Sequence, residues 1–296
     1  MKDAMKILIA YDGSACAQAA LDDLRSAGLP AKAEVKVVAV LETWFPPPSG
    51  WALLEGASTA SQEFDTLALA QGAAVSLRSL FPGWDLTAQE EIGSPASTLL
   101  KIADDWRPDL LVVGSHGRSA AGRFLLGSVS QKLVHEAHCS VRVARGRVQE
   151  AGTPLRILVG VDGSAGAQVA VNEVAQRPWP PNTEVRLVTA TWAAPHLFTE
   201  ESASALTNWL AEEQARIAAI LQQSQENLQA AGLQVTAVSQ PEDPKTLLCE
   251  EAERWGADSI FIGAKGVGKL ERLLIGSVSS AVAARANCSV EVVRKA

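Results

Sequence analysis

The sequence predicts an α/β protein built from two tandem, doubly wound, mostly parallel five-stranded sheets with helices on both faces. Two observations predict this fold class. Segments of the first half of the chain return in the same order in the second half, and within each half short apolar runs alternate with longer amphipathic stretches. Strands that alternate with helices favour a parallel sheet with helices packed on it.

The internal repeat is the strongest signal in the chain. KILIAYDGS, which begins at Lys6, returns 150 residues later as RILVGVDGS, and WRPDLLVVGSHG, which begins at Trp106, returns 149 residues later as WGADSIFIGAKG. Landmarks that keep their order and spacing over the whole length indicate a duplicated domain. We place the two domains at 1–149 and 150–296, because VQEAGTP at the join supplies glycine and proline and little hydrophobicity.

The first half has a clear succession of elements. Ser94 followed by Pro95 is typical of a helix N-cap with proline at the first helical position. The segment 42–57, with three consecutive prolines and two tryptophans, is expected to be a surface connection, with a lid over a ligand as the alternative. We expect strands at 7–11, 35–41, 86–90, 110–113 and 141–144, and helices at 15–27, 58–80, 95–106 and 128–137.

Composition and charge exclude several classes of function. The net charge of −7 argues against a broad basic face for nucleic acid or an anionic membrane. The chain opens without the apolar core of a signal peptide and contains no apolar run long enough to span a bilayer, so we expect a cytoplasmic protein. The four cysteines lack C-x-x-C spacing, which favours reduced thiols over a metal site. Cys139 and Cys288, at equivalent positions of the repeat, are expected to be buried.

A glycine-rich motif follows the fourth predicted strand of each half. Both copies have the pattern G-x-x-G, nine residues, then G-S, and a predicted helix begins at that final pair. Glycine lets the backbone adopt positive φ and lets a ligand approach closely, and the N–H groups at a helix start suit a phosphate. The alternative is a turn that only links strand to helix, which duplication would preserve equally well. The motif residues are Gly114, Gly117, Gly127 and Ser128 in the first half, and Gly263, Gly266, Gly276 and Ser277 in the second.

With these motifs the sequence resembles the universal stress protein family, specifically its ATP-binding branch, over essentially the whole chain twice. The resemblance implies a Rossmann-like fold of the adenine-nucleotide-binding type, with ATP as the ligand and any Mg²⁺ or Mn²⁺ bound through its phosphates. In each half it implies two residues facing the base, two glycines lining the ribose and first phosphate, and three residues holding the distal phosphates. In that order these are Asp12, Val40, Gly114, Gly117, Gly127, Ser128 and Ser130, and in the second half Asp162, Ala190, Gly263, Gly266, Gly276, Ser277 and Ser279.

Several details qualify this site. Ala190 stands where the first half has Val40, and two missing methyl groups weaken adenine binding by roughly 1–1.5 kcal/mol. GAKGVGKL at 263–270 resembles a Walker A loop but has leucine where the magnesium-binding Ser or Thr belongs, which argues against one. Neighbouring cations could either neutralise phosphate charge or be simply solvated; they are Arg118, Arg123, Lys265, Lys269 and Arg272.

Two further alternatives concern single side chains. Asp12 and Asp162 could cap the first helix of each half, with Ser14 and Ser164 as the alternative caps. Histidines at 116 and 135 have no serine and acid partners at a recognisable spacing, so a hydrolase triad is unsupported.

Three functions remain open on the sequence. The leading hypothesis is an ATP-binding stress-response or signalling protein with an unidentified protein partner. The second is an enzyme, either a slow ATPase or a protein that phosphorylates itself on Ser128 or Ser277, although no general base is evident near the motif. The third is a scaffold that holds no nucleotide. In all three, the last strands of the two halves (141–144 and 290–293) are expected to meet in an intramolecular pseudo-dimer, and a homodimer of the whole chain is a further alternative.

Overall fold

A computed structural model of the protein describes residues 4–42, 65–117, 126–146, 153–191, 203–266 and 275–295. Within these ranges the first half alternates strands with helices. Its elements are β1 (Met5–Ala10), α1 (Ala15–Asp23), β2 (Ala33–Leu41), α2 (Thr66–Leu80), β3 (Asp85–Ile92), α3 (Pro95–Trp106), β4 (Leu110–Gly114), α4 (Ser128–Glu136) and β5 (Ser140–Ala144).

The second half repeats this order of elements. Its second helix, with 28 residues, is much longer than its counterpart α2. The elements are β6 (Arg156–Gly160), α5 (Ala165–Gln176), β7 (Glu184–Ala190), α6 (Ala203–Ala230), β8 (Gln234–Gln240), α7 (Pro244–Trp255), β9 (Ser259–Gly263), α8 (Ser277–Arg285) and β10 (Ser289–Val293).

The ten strands found in the described residues form one sheet in the order β3-β2-β1-β4-β5-β10-β9-β6-β7-β8. Within each half every neighbouring pair is parallel, and the first strand of the half lies at the centre of its five. This is the doubly wound topology predicted from the alternation of strands and helices, and the fold class is confirmed. The last strands of the two halves also meet, as predicted: β5 and β10 pair antiparallel, with Val141 opposite Val292.

The observed elements differ from the predicted ones mainly at their ends. The first helix ends at Asp23 instead of 27, because a short 3-10 turn (Leu24–Ser26) and then Gly28, at φ 62°, lead the chain out of it. Ser94 is the N-cap of α3, as predicted, but its side chain makes no capping hydrogen bond. Residues 43–64 lie outside the described residues, and with them most of the predicted connection and the start of the predicted helix at 58–80.

The core is continuous across the two halves on one face of the sheet. There a single apolar cluster contains Leu111 and Val141 of the first half together with Leu158 and Val290 of the second. On the other face the two halves have separate clusters, one around Ile7 and Leu77 and the other around Ile157 and Phe261. The shared cluster and the β5–β10 pair therefore join the halves over the middle of the sheet. The exact domain boundary at 149/150 stays a prediction.

Two expectations from composition can be compared with the structure. Among the described helices, none combines the length with the apolar character that a membrane-spanning segment requires. Cys139 and Cys288, which directly precede β5 and β10, are both buried as predicted, and neither forms a disulfide. Burial raises the pKa of the Cys139 thiol to about 11.

Candidate functional site

The carboxyl ends of the parallel strands form one edge of each half-sheet, where the glycine-rich motif begins. In the second half this edge carries a cavity of about 1100 Å³. The cavity brings together all seven second-half residues that the sequence analysis selected: Asp162, Ala190, Gly263, Gly266, Gly276, Ser277 and Ser279.

The cavity also has a wall that the sequence analysis missed. Helix α6 contributes Glu213, Arg216, Ile217 and Ile220, which have the i, i+3, i+4, i+7 spacing of one helix face. That spacing was available as a signal, but periodicity shows only that a face exists and not what the face covers. Tertiary packing places this face over the turn at Gly163, where an added Cβ would lie 2.5 Å from the Ile220 side chain.

The aspartates selected from the sequence shape the turn before the first helix of each half. Asp162 Oδ1 accepts a hydrogen bond of 2.9 Å from the Ser164 N–H, and Ser164 Oγ accepts one of 3.1 Å from Ala167 N–H and so caps α5. In the first half Asp12 and Ser14 make the same two contacts. Of the two capping alternatives, serine is therefore the helix cap, and the aspartate holds the turn that leads into it.

The second glycine of each G-x-x-G lies against that aspartate. A Cβ at Gly117 would come within 3.0 Å of Asp12 Oδ2, and one at Gly266 would come within 2.6 Å of Asp162 Oδ2. A side chain at either glycine would therefore force the carboxylate to move. The contact joins the end of β1 or β6 to the glycine-rich motif across the sheet edge.

The first glycine of each motif has a structural reason of its own. A Cβ at Gly114 would lie 2.9 Å from the carbonyl carbon of Cys16 in α1, and one at Gly263 would lie 2.3 Å from the carbonyl carbon of Gly166 in α5. Helix and strand backbones approach so closely here that only glycine fits. The alternative interpretation of the motif as a packing turn therefore accounts for these two glycines.

The third glycine of each motif is different. Gly127 and Gly276 have φ of −61° and −65°, so the positive φ expected from the sequence is wrong at these positions. The nearest atoms to an added Cβ are 3.4 Å away at both. Neither backbone conformation nor packing demands glycine here. Each residue is the N-cap of the following helix, α4 or α8, and makes no side-chain capping bond to the first-turn amides.

The two serines of each G-S-x-S run occupy different environments. Ser128 and Ser277 are exposed at the first position of α4 and α8. Ser130 is buried and its hydroxyl donates a 2.7 Å hydrogen bond to the Gly114 carbonyl. Ser279 makes the same bond to Gly263. The single hydroxyl proton of each buried serine thus ties its helix to the preceding strand, whereas the exposed serines are accessible to a ligand.

Charges at the second-half cavity come from several elements. Arg216 forms an ion pair with Glu213 at 2.6 Å. The hydrogen bond between them raises the pKa of Arg216 and lowers the pKa of Glu213, and the charge of Asp162 adds to the rise at Arg216. Lys265 lines the cavity as well. The other cations selected from the sequence, Arg118, Arg123, Lys269 and Arg272, lie outside the described residues.

At the position equivalent to Lys265 the first half has His116. Its Nδ1 lies 3.1 Å from Ser115 Oγ, and burial together with the charge of Arg145 lowers the pKa of His116. At pH 7, above the ordinary histidine pKa of about 6.5, the first half therefore has a mainly uncharged imidazole at the position where the second half has a lysine. In the described part of the chain, no three His, Cys, Asp or Glu side chains are grouped so that they could hold a metal ion.

The fold and this edge define a class of protein: a tandem pair of doubly wound α/β domains with a pocket at the carboxyl ends of the strands. The glycine-rich motif and the first residues of the helix that follows it line this pocket. The chain belongs to the universal stress protein family, because the family model of that description matches residues 4–145 and again residues 155–294. The two matches agree with the tandem organisation predicted from the repeat.

Similar proteins cover most of the chain. A universal stress protein of Mycolicibacterium smegmatis is 32% identical over 222 residues, which cover 71% of this chain and 69% of the relative. One from Mycobacterium tuberculosis is 26% identical over 309 residues, covering 98% of this chain and 97% of the relative. The crystal structure of a universal stress protein from Archaeoglobus fulgidus superposes with a TM-score of 0.66 at 18% identity, covering 98% of this chain and 96% of that one, which shows the fold.

Proposed function

We propose that this protein binds ATP, with one nucleotide site at the carboxyl edge of each half, and that nucleotide binding controls a stress-response or signalling output. The observation that carries the proposal is the second-half cavity, which all seven residues implied by the family resemblance line together. Its volume of about 1100 Å³ slightly exceeds the range of about 300–1,000 Å³ that is usual for small-molecule sites, and so leaves room for a ligand as large as a nucleotide.

The phosphates of the ATP are assigned to the start of α8. Gly276 leaves the first-turn amides without a side-chain cap, so those N–H groups and the positive end of the helix dipole suit an anion. The exposed Ser277 hydroxyl supplies a further donor, and Lys265 brings positive charge to the same cavity. Mg²⁺ or Mn²⁺ in this proposal is held by the phosphates.

The base is assigned to the apolar end of the cavity. Ala190 at the end of β7 and Ile217 of α6 both line it, as do Val188 and Leu248. A flat purine ring buries most of its surface between such side chains, which is the usual source of affinity for an adenine. Asp162, at the turn after β6, stands where the resemblance places the polar contact to the base.

The first half supports an equivalent site through the same local geometry. Asp12 holds the turn after β1, Gly117 lies against its carboxylate, and Gly127 starts α4 without a side-chain cap. Val40 is half-buried at the end of β2 and would add apolar contact that Ala190 lacks. On these grounds we assign the tighter adenine contact to the first half.

A binding protein is favoured over an enzyme because three of the four carboxylates that line the second-half cavity, all except Glu242, have partners within the fold. Asp162 accepts from the Ser164 N–H, Glu213 is paired with Arg216, and Asp243 caps α7. Each therefore has a partner in the fold that competes with the role of general base. Slow ATP hydrolysis or phosphorylation of Ser128 or Ser277 is the second candidate, since these serines are the exposed hydroxyls at the phosphate end. We assign the output to a protein partner in the cytoplasm.

The test begins with purified full-length protein. Acid extraction and chromatography of bound nucleotide, followed by calorimetric titration with MgATP, should recover ATP and give up to two sites per chain. ADP that accumulates over repeated turnovers would favour the enzyme. A protein that carries no nucleotide and releases no heat with millimolar MgATP would leave only the scaffold.

Two serine variants, one at the proposed phosphate site and one away from it, test the assignment of the phosphates. Ser277→Ala should weaken the second-half site about tenfold, because a hydrogen bond to a charged group is lost. The matched control is Ser79→Ala on the exposed last turn of α2, which packs on β2 and β3 of the first half and should leave binding at the second-half site unchanged. Equal affinities of Ser277→Ala and wild type would contradict the assignment of the phosphates to α8.

A further inference from the structure

The two helices assigned to phosphate end against arginines from the opposite half. Arg145 directly follows β5 of the first half, and its Nη2 donates a 2.5 Å hydrogen bond to the Ala283 carbonyl near the end of α8. Its Nη1 donates to the Cys288 carbonyl at 3.4 Å. The last carbonyls of α8, a second-half helix, are therefore capped by a first-half side chain.

The contact is reciprocal. Arg294 directly follows β10, and its Nη2 donates a 2.5 Å hydrogen bond to the Val134 carbonyl of α4, while its Nη1 donates to the Cys139 carbonyl at 3.2 Å. Positions 145 and 294 are equivalent in the repeat, as are 134 and 283. The junction thus places a cation from each half at the carboxyl end of the other half's phosphate helix, where it opposes the negative end of the helix dipole.

Each arginine is also tied to the glycine-rich motif of its own half. The carbonyl of Ala144, one residue before Arg145, accepts from Ser115 N–H at 3.2 Å, and the carbonyl of Ser115 accepts from Gly127 N–H at 2.9 Å. In the second half Ala264 N–H donates to the Val293 carbonyl at 2.9 Å, and Gly276 N–H donates to the Ala264 carbonyl at 2.7 Å. The N-cap of one phosphate helix is therefore connected, in a few hydrogen bonds, to the C-cap of the other.

We propose that Arg145 and Arg294 are positioning residues that act across the junction, each setting the phosphate-binding helix of the opposite half. This inference rests on the ATP site proposed above. The helices have nine residues and are about 14 Å long, so each moves as one body and a displaced carboxyl end displaces the amino end as well. His135 of α4 and Ser280 of α8, with Nε2 3.0 Å from Oγ, join the two helices directly.

Both guanidinium groups are only partly accessible, and burial lowers the pKa of each. Arginine stays protonated in spite of this partial burial, and its planar, forked guanidinium group donates hydrogen bonds to two carbonyls at once. Lysine in the same place keeps the charge but has a single ammonium group. The charge of Arg145 also lowers the pKa of His116 in the first-half motif, so a lysine variant preserves that influence while it removes the fork.

The experiment measures each site separately in the full-length chain. Gly127→Val disables the first-half site and Gly276→Val the second, and Arg145→Met, Arg145→Lys and Arg294→Met are then combined with each. Calorimetry with MgATP should show that Arg145→Met weakens the second-half site about fivefold and the first-half site less than twofold. Arg294→Met should show the opposite pattern. Arg145→Lys should fall between wild type and Arg145→Met at the second-half site.

Hydrogen exchange gives a readout that needs no nucleotide. In Arg145→Met the amides of the first turn of α8 should exchange several-fold faster while those of α4 stay near wild type, and Arg294→Met should reverse this. An arginine that only stabilises the junction would change both helices and both sites alike, and that result would overturn the inference. A wild type that binds no ATP but shows the crossed exchange pattern would remove the proposed function and keep the positioning role.

Discussion

Arg142 of β5 faces Glu291 of β10 across the antiparallel pair that joins the two halves. The two positions are equivalent in the repeat, yet one carries a cation and the other an anion, with Nη1 3.3 Å from Oε2 and both side chains fully buried. A pair of identical halves would bring like charges together here. Asp23 of the first half accepts from Arg142 Nε at 2.6 Å, and Arg177 of the second half pairs with Glu291. Arg142 and Glu291 therefore each have one oppositely charged partner in their own half and one across the junction.

Removing Arg142 should therefore destabilise the whole molecule. Arg142→Met removes the cation that pairs with both Asp23 and Glu291 in a buried site. Breaking such a buried ion pair typically lowers the free energy of unfolding by about 3–5 kcal/mol. Urea denaturation followed by circular dichroism measures it. Arg25→Met, an exposed arginine on the 3-10 turn after α1, is the control and should change the free energy by less than about 0.5 kcal/mol. A cost below about 1 kcal/mol for Arg142→Met would contradict the network.

The third glycines of the motifs should matter for ATP and little for folding. Because Gly127 and Gly276 have ordinary φ and room for a Cβ, Gly127→Val and Gly276→Val should fold, but their side chains would occupy the space assigned to phosphate. With ATP about a hundredfold above its Kd, linkage stabilises the wild type by roughly 2.7 kcal/mol, which is a rise in Tm of about 5–10 °C. Each variant should lose the shift from its own half, and the double variant should show none.

The control for this series is Gly114→Ala. The added Cβ would meet the Cys16 backbone, so we expect a lower Tm without any ligand. If Gly127→Val and Gly276→Val kept the full rise in Tm on addition of ATP, phosphate contact at these two positions would be excluded.

Introducing a valine at position 190, as the first half has at position 40, should strengthen ATP binding at the second-half site. Ala190 is half-buried at the cavity, and Ala190→Val adds about two methyl groups of apolar contact, worth roughly 1–1.5 kcal/mol or about five- to tenfold in Kd for ATP. Calorimetry in a chain that also carries Gly127→Val isolates this site. The reciprocal change Val40→Ala should weaken the first-half site by a similar factor. Unchanged affinities in both variants would show that these positions do not contact the base.

Cys139 should make stability depend on alkaline pH. Burial raises the folded-state pKa of its thiol to about 11, against about 9 for an ordinary thiol, so the folded protein retains a proton that the unfolded chain releases. The resulting contribution, about 2–3 kcal/mol, is fully present below pH 9 and is lost as the pH rises through 11. Urea denaturation between pH 8.5 and 11 should show a steeper fall for wild type than for Cys139→Ala. Parallel curves for the two proteins would contradict this.

The sequence by itself determined the tandem fold, because the repeat and the alternation of apolar runs with helical patterns can be recognised without knowing how the chain packs. It also selected seven second-half residues that the structure brings to one cavity. These residues are far apart in the sequence but meet in the fold, because parallel strands bring the carboxyl ends of β6, β7 and β9 to the same edge of the sheet.

Only the tertiary structure decided which of these residues are accessible to a ligand. Gly114 is glycine because α1 crosses it, and Ser130 is buried against the Gly114 carbonyl, whereas Gly127 and Ser128 are constrained by neither. The wall from α6 and the crossed caps of Arg145 and Arg294 were equally beyond the sequence. These contacts join residues far apart in the chain, and a side chain's partners across a sheet depend on how the halves pack, which no local pattern encodes.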